Sequence, residues 1–553
     1  MTTVTSAKHP KGLKFLFLSE MWERFGYYLM IGIFTLYLKD VKAGFAMTEA
    51  ESADLYGTFI ALVFLTPFLG GLIADRYLGY TKSIIIGGIM MGVGYCLMGV
   101  HNLLSLYTAM TLVILGNGFF KPNISTLLGN IYSTPEFIEK KDDGYNIFYM
   151  GINVGAFICN FFGAALYILL GWEYAFLAAG IGMFIGVAVF LSGLKHYRAY
   201  DIKKGVQEGD MSFTKITMLI LAPSIVAGIV GWILPQKLLG HALVGSNSTD
   251  AFIFACIPVI YFYSTLYFKA SKAEKRPIAA LLTIFMVVIL FWAVFKQNGT
   301  ALTTWADRYT DREVSNPTAE SVFSGLSLSQ SVTYKKDSVA LYDEAFRLQK
   351  KDGVVIKEYN YPSYFRNVKS ENLPAEGQKV ELWATNLTQS INPAWVILLT
   401  PLIVAFFSWL RGRNQEPSTA SKIIFGVFVS ALSVLVMVGA VYAGNNGAEK
   451  VSVLWLMAGY GVITIGELLL SPMGLSLVSK LSPVRITSLM MGGWFLSTSI
   501  GNKLSGVLST LWDTYSDKSN FFWVNFALLI FSALIGFILL KWLNGIMKEM
   551  GIK

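Results

Sequence analysis

Ser19-Glu20-Met21-Trp22-Glu23-Arg24-Phe25-Gly26-Tyr27-Tyr28 lies inside the first long apolar run of the chain. An ionised side chain in a bilayer costs several kcal/mol unless it is paired or faces water, so two Glu and an Arg this close together mark a place where function outweighs that cost. At 3.6 residues per turn, Glu20 reaches Arg24, Glu23 reaches Tyr27, and Arg24 reaches Tyr27 and Tyr28, giving one polar stripe on one helix face. The bland alternative is a charged collar at a helix end. It sits badly with the apolar residues that continue from Leu29 to Leu38 and also precede the stretch.

Composition agrees with a membrane setting. Of 553 residues, 54% are hydrophobic and only 14% charged, which describes a polytopic membrane protein better than a soluble enzyme with one large core. The net charge of +9 reads as Lys and Arg of cytoplasmic loops, because no compact basic, aromatic-interleaved patch suggests a nucleic-acid surface. Cys96, Cys159 and Cys256 each fall in a separate apolar run and read as packing residues, with neither a disulfide framework nor metal-ligand spacing. A short basic leader with Lys8, Lys11 and Lys14 runs straight into the first apolar run, as expected of an uncleaved anchor with a cytoplasmic N-terminus.

Windows long enough to span a bilayer fall near 13–38, 55–74, 82–100, 105–131, 145–168 and 172–194. Two more follow near 213–235 and 251–268, then six near 278–300, 391–410, 421–444, 452–479, 484–510 and 521–544. The expectation is an all-α membrane protein of 14 transmembrane helices in a 6 + 2 + 6 order. It divides into an N-terminal six-helix bundle at 1–200, two additional helices with linkers at 201–275, and a C-terminal six-helix bundle at 276–553. Starting inside, the loops with Arg76 and Lys82, Lys140 and Lys141, Lys195 and Arg198, Arg411 and Arg413, and Lys480 and Arg485 all fall on the cytoplasmic side, as do both termini.

Between helices seven and eight of the twelve-helix core, roughly 307–388, the charge rises to about twice the chain average, nearly balanced in sign, with Pro and Ser interspersed. This reads as an extracytoplasmic insert. Its Val354-Val355-Ile356 run and alternating Val380-Glu381-Leu382-Trp383 stretch suit either a small sheet or a loosely ordered cap.

The opening stretch reads E-x-x-E-R-F-x-Y-Y, which resembles the first-helix signature of the proton-dependent oligopeptide transporter family, of prokaryotic type, within the major facilitator superfamily. Further stretches resemble the family in the correct order. Gly70-Gly71-Leu72-Ile73-Ala74-Asp75-Arg76-Tyr77-Leu78-Gly79-Tyr80-Thr81-Lys82 is similar to the superfamily loop between helices two and three, where glycines permit close helix approach and Asp75 can pair with cations that exchange during rocking. Gly116-Asn117-Gly118-Phe119-Phe120-Lys121-Pro122-Asn123-Ile124-Ser125 matches helix four, and Phe148-Tyr149-Met150-Gly151-Ile152-Asn153-Val154-Gly155-Ala156-Phe157 matches helix five. Later come Gln389-Ser390-Ile391-Asn392-Pro393, Gly466-Glu467-Leu468-Leu469-Leu470-Ser471-Pro472 and Gly493-Trp494-Phe495-Leu496-Ser497. A bend at Pro122 would present Lys121 to a cavity, although a structural lysine paired with Glu20 or Glu23 is the alternative. Glu467, the only charge between Val453 and Leu470, needs either a cation or a proton. Lys503 lies toward the outer end of helix eleven, where snorkelling of the ammonium to the interface is expected.

The resemblance implies proton-coupled uptake of di- and tripeptides by alternating access, with no cofactor, no enzymatic activity and no nucleic-acid partner. Partners are peptides, protons and the lipid bilayer, the expected state is a monomer, and the place is the cytoplasmic (inner) membrane. Carried over residue by residue, Arg24 and Lys121 face the peptide carboxylate, Glu467 with Asn153 and Asn392 the amino terminus, and Tyr27, Tyr28, Trp292 and Trp494 shape the pocket. Glu20, Glu23, Arg24, Lys121 and Lys296 are the candidates for proton coupling. A zwitterion needs cations at one end and a carboxylate at the other, and variable side chains need a roomy aromatic middle, so the chemistry agrees.

Departures from the family pattern concentrate in the pocket. Lys296 stands in Phe291-Trp292-Ala293-Val294-Phe295-Lys296-Gln297 where the family usually carries a Glu tied to proton coupling, and Ile31 stands where a second Arg is common. Glu20, Glu23 and Glu467 then face Arg24, Lys121 and Lys296, a balance of zero. A lysine there needs a carboxylate, from Glu20, Glu23 or Glu467, and a pair that changes between states would latch the halves. Phe64 replaces a common pocket Tyr, and Gly57 stands where animal members have a histidine; His9, His101, His196 and His241 all lie away from mid-membrane, so no histidine relay is expected. Other readings are a same-family carrier of nitrate, an amino acid or a peptidomimetic, a drug or sugar transporter of the superfamily, or a receptor using the outer insert. An intramembrane enzyme lacks its motifs, since no Ser-His, H-E-x-x-H or Asp-Asp pairing appears in the apolar runs.

Overall fold

Side-chain caps mark where several of the helices begin. The computed structural model describes residues 9–137, 140–201, 215, 217–483 and 486–550. Its first six long helices are α1 (Leu13–Lys39), α2 (Glu49–Ile73), α3 (Tyr80–Met98), α4 (Leu103–Tyr132), α5 (Lys141–Leu169) and α6 (Trp172–Ser192). Thr48 opens α2 with a reciprocal box, its hydroxyl accepting from the Glu51 amide at 3.2 Å while its own amide donates to the Glu51 carboxylate at 2.7 Å. Asn102 caps α4, and Asp201, beyond α6, accepts from the Tyr80 and Thr81 amides to close the start of α3.

A hairpin follows, α7 (Ala222–Leu239) and α8 (Asn247–Lys269), ended between its arms by Gly240 at φ 76 and restarted by the Ser246 cap. Then come α9 (Lys272–Phe295), the short α10 (Ala301–Arg308), α11 (Pro317–Gly325), α12 (Ile391–Gly412), α13 (Thr419–Ala443), α14 (Leu454–Leu481), α15 (Thr487–Thr514) and α16 (Lys518–Glu549). Twelve helical spans among the described residues are long and apolar enough to cross a membrane. The two long helices outside that set are α1, which carries Lys14, Glu20, Glu23, Arg24 and Lys39, and α15, rich in Ser, Thr and Gly.

Buried apolar side chains form two large clusters, one drawn from Leu13 to Tyr197 and the other from Ile220 to Met547. In the N-terminal group α1 packs on α5 and α6, and α4 on α2 and α3; in the C-terminal group α13 packs on α14 and α16, and α9 on α15. Close approach inside the first group uses the loss of a donor at Pro122. The Gly118 carbonyl one turn earlier has no α-helical partner there, and α2 comes in so near that a Cβ on Gly70 would collide with that carbonyl. The side chain of Asp75, expected to pair with exchanging cations, lies outside the described residues.

Between α10 and α12 the chain folds as a small module. Strand β1 (Ser329–Thr333) pairs antiparallel with β6 (Lys379–Trp383), β2 (Asp337–Ala340) with β5 (Lys357–Asn360), and β3 (Lys350–Lys351) with β4 (Val354–Val355). Tyr364, Phe365, Val380 and Leu382 are buried between them, the last two from the alternating stretch read in the sequence. Of the two forms open for this segment, the small sheets are the one observed.

Hydrogen bonds and ion pairs joining the two helix groups gather toward the end that carries this module. Lys39 of α1 donates to Glu49 of α2 (3.1 Å) and to Thr304 of α10 (2.8 Å), and Arg308 lies 3.5 Å from the same carboxylate. Thr35 donates to the Gly299 carbonyl at 2.8 Å and Ser499 to the Ala61 carbonyl at 2.7 Å. A Cβ on Gly57 of α2 would lie 2.7 Å from the Gly506 Cα of α15, so the two backbones touch without side chains between them. Lys503 corrects the sequence expectation. Instead of snorkelling it is 2% exposed and forms a 2.6 Å ion pair with Asp54 of α2, because a carboxylate from the other helix group satisfies the ammonium inside the protein.

Candidate functional site

The charged stripe of α1 folds in on itself. Arg24 Nε is 3.0 Å from Glu20 Oε1, one turn back, and 2.6 Å from Glu23 Oε2, and all three side chains are buried. Four polar atoms of the group, Arg24 Nη2, Glu20 Oε2 and both Glu23 carboxylate oxygens, remain buried without a hydrogen-bond partner among the described residues. Such a group holds capacity for further donors and acceptors, since an unmade buried bond is costly. The guanidinium lies 5.5 Å from the Tyr27 ring centroid, and Tyr27 meets Tyr28 edge-on at 5.4 Å. Gly155 of α5 sits so close to the Met21 carbonyl that no Cβ fits, which brings α5 against this turn.

Opposite stand two lysines from different helix groups. Lys121 Nζ of α4 is 4.5 Å from the centroid of the Phe64 ring of α2, and Lys296 Nζ, just past the end of α9, is 5.0 Å from the same centroid. Among the described residues neither has a carboxylate within ion-pair distance; the charges acting on Lys296 are those of Glu467 and Arg24, and those on Lys121 include Arg24, Glu23, Glu20 and Lys296. Lys121 is therefore not a structural partner of Glu20 or Glu23 in this conformation. The Trp292 ring lies 5.8 Å from Lys296 Nζ, and its buried Nε1 has no hydrogen-bond partner among the described residues.

Glu467 of α14 is held by Asn392 of α12, whose Nδ2 donates to it at 3.0 Å and to Thr464 Oγ1 at 2.9 Å. Asn153 does not join Glu467; its Nδ2 donates to the Tyr149 carbonyl one turn back at 3.0 Å. Trp494 is buried in the C-terminal core, edge-on to Phe285 at 6.3 Å and over Gly474. Asn160 escaped the sequence reading. It joins α5 to the 3-10 turn Thr385–Ser390 that leads into α12, donating to Ser390 Oγ at 3.1 Å while its backbone carbonyl accepts from Asn386 at 2.8 Å, and its Oδ1 is buried without a partner among the described residues.

A family model described as the POT family matches residues 81–320 and 382–524. The chain belongs to the POT family. A di-/tripeptide transporter of Lactococcus lactis subsp. cremoris is 28% identical over 565 residues, covering 100% of this chain and 98% of its own. Dipeptide and tripeptide permease A of Salmonella typhimurium is 26% identical, covering 94% of this chain and 87% of its own. A crystal structure of a peptide transporter POT in complex with sulfate matches at a TM-score of 0.73 and 24% identity, with 97% of this chain and 96% of that one covered. POT-family proteins are multi-pass membrane transporters, so this chain is a carrier of the major facilitator type rather than an enzyme, and its site is a passage.

Proposed function

We propose that this chain is a proton-coupled symporter that imports di- and tripeptides across the cytoplasmic membrane by alternating access. The observation that carries this reading is the set of charges set inside the helix groups: Arg24 bound to Glu20 and Glu23, Lys121 and Lys296 over the one Phe64 ring, and Glu467 held by Asn392. Arg24 and Lys121 receive the peptide carboxylate, Glu467 with Asn392 the amine, and Tyr27, Tyr28, Phe64 and Trp292 line the variable middle. The Lactococcus and Salmonella relatives bear names of the same activity.

Protons enter through Glu20 and Glu23, whose bonds to Arg24 compete with protonation, and Lys296 responds to the resulting change of charge. The six-helix bundles at 1–200 and 276–553 rock against each other, with 201–275 beside them and the module facing the outside, so both termini are cytoplasmic and the carrier works as a monomer in the bilayer. One proton crossing about 100 mV yields about 2.3 kcal/mol, and one pH unit adds about 1.4, enough for roughly 500-fold accumulation of a neutral peptide. Labelled dialanine should accumulate in proteoliposomes under an imposed proton gradient and leak away on addition of an uncoupler. Accumulation that survives the uncoupler would refute coupling, and absence of any dialanine entry or exchange would refute peptide transport.

A further inference from the structure

The α7–α8 hairpin stands at the edge of the molecule with most of its apolar surface uncovered, including Ile225, Ile229 and Trp232 on α7 and Ile257, Ile260 and Tyr261 on α8. That suits lipid contact. Its tip is built differently. Thr249 and Asp250 are nearly fully buried, and the Asp250 carboxylate accepts from the Leu243 and Val244 amides at 2.6 and 2.9 Å, which fixes the turn. The hydroxyls of this turn point into the body. Ser246 Oγ donates to Asp54 Oδ1 at 2.8 Å, and Ser248 Oγ donates to the two Asp54 oxygens at 2.8 and 2.7 Å.

Asp54 belongs to α2, in the N-terminal group, and its ion-pair partner Lys503 belongs to α15, in the C-terminal group. Lys503 Nζ donates to Thr58 Oγ1 and to Ser248 Oγ, both at 2.8 Å. Ser248 thus accepts from one half and donates to the other. A carboxylate offers about four lone-pair positions, and a single ammonium cannot fill them once water is excluded. The hairpin supplies the missing donors. When the halves separate at this end, Lys503 withdraws and the hydroxyl network loses its centre, so the network favours the arrangement in which α2 and α15 are together.

We infer that Ser246 and Ser248 are positioning residues of the transport cycle: through Asp54 and Lys503, the peripheral hairpin holds the passage closed at the module end. This rests on the reading of the chain as an alternating-access carrier. Loss of one to two such hydrogen bonds shifts the ratio of open to closed forms about tenfold.

The test places spin labels at Lys42→Cys, in the turn between α1 and α2, and Ser516→Cys, between α15 and α16, in full-length protein with Cys96, Cys159 and Cys256 replaced by serine, in lipid nanodiscs. Pairing Ser246→Ala with Ser248→Ala should raise the longer-distance population about tenfold and lower gradient-driven accumulation relative to counterflow exchange, and Ser248→Thr alone should leave both as in the parent. A distance distribution unchanged in the double variant overturns the inference. Should that variant not fold, Asp54→Asn, which keeps the shape and removes the charge, must produce the same redistribution, and an unchanged distribution there overturns it equally. If the distances shift while dialanine is neither bound nor moved, the hairpin contact stands and the peptide reading falls; if peptide is carried and the distances stay fixed, the reverse holds.

Discussion

Lys121 and Lys296, one from each half of the transporter, stand over the same ring, that of Phe64. Two cations with no carboxylate at ion-pair distance are kept together by an aromatic quadrupole, worth about 0.5–2 kcal/mol per contact according to solvation, and by charges farther off. Phe64→Leu removes both contacts at little change in volume. The expected result is a several-fold rise in the apparent KM for dialanine, measured by uptake; an unaltered KM would show that the ring does not hold the lysines for substrate.

Lys296→Ala separates coupling from binding. With the charge of Glu467 acting on it, Lys296 should change its electrostatic partner when a peptide amine or a proton takes Glu467. The variant should lose proton-driven accumulation while retaining counterflow exchange of labelled dialanine. Wild-type accumulation with wild-type pH dependence would remove Lys296 from the coupling path.

Arg24 cannot be replaced conservatively. Its Nε touches both Glu20 and Glu23, so Arg24→Ala leaves two buried carboxylates without a cation, a loss of about 3–5 kcal/mol when one partner of a buried pair is removed. Arg24→Lys restores the charge but not the planar fork. Both variants should lower uptake by at least about tenfold, and Arg24→Ala should also lower thermal stability in detergent, read by a melting assay.

Free termini should matter more than side chains. N-acetyl dialanine, lacking the amine that Glu467 would receive, should compete for uptake far more weakly than dialanine, and Glu467→Gln should shrink that difference. Equal competition by the two peptides would argue against an amine at Glu467.

Outside the membrane-spanning segments, Lys450 gives a pH dependence with a defined sign. Burial, and then the Arg312 guanidinium, push its ammonium down to about 7, and it donates to the Arg308 carbonyl at 2.8 Å. The unfolded chain, with an ordinary lysine near 10.4, binds the extra proton between these values, so stability rises with pH from about 7 to about 10 and is lowest below 7. Hydrogen exchange in residues 313–383 should slow, after correction for intrinsic rate, between pH 6 and pH 9. Lys450→Met should flatten that change.

What the sequence showed and what it hid divide along the distance between partners. Glu20 and Arg24 were readable because four residues bring them to one helix face, and Glu467 because a lone charge in an apolar run is conspicuous. The alternation of Val380 to Trp383 allowed a strand there without deciding it against a loose cap, since its partner β1 lies some fifty residues earlier and carries no matching pattern. Lys503 was misread because Asp54 is 449 residues away, and at a helix end a charge is unremarkable until its partner is seen. Asn153 illustrates a different limit, since an Asn in a helix has a local carbonyl within reach whatever lies across the cavity. Asn160 gave no sign at all, being one amide in an apolar helix.

The module at one end does more than decorate the chain. Lys350 reaches Glu51 of α2 at 3.1 Å, Arg347 reaches the Asp513 carbonyl of α15 at 3.2 Å, and Leu328 and Ala384 are buried with Ala164 of α5. A single compact surface therefore overlies both helix groups, and on the orientation proposed above it faces outward, within reach of a large molecule that does not fit the passage. An antibody fragment or nanobody seated across that seam would act as an external brake, arresting turnover by pinning the lid instead of competing for the substrate cavity, and its potency would not depend on how much peptide is present.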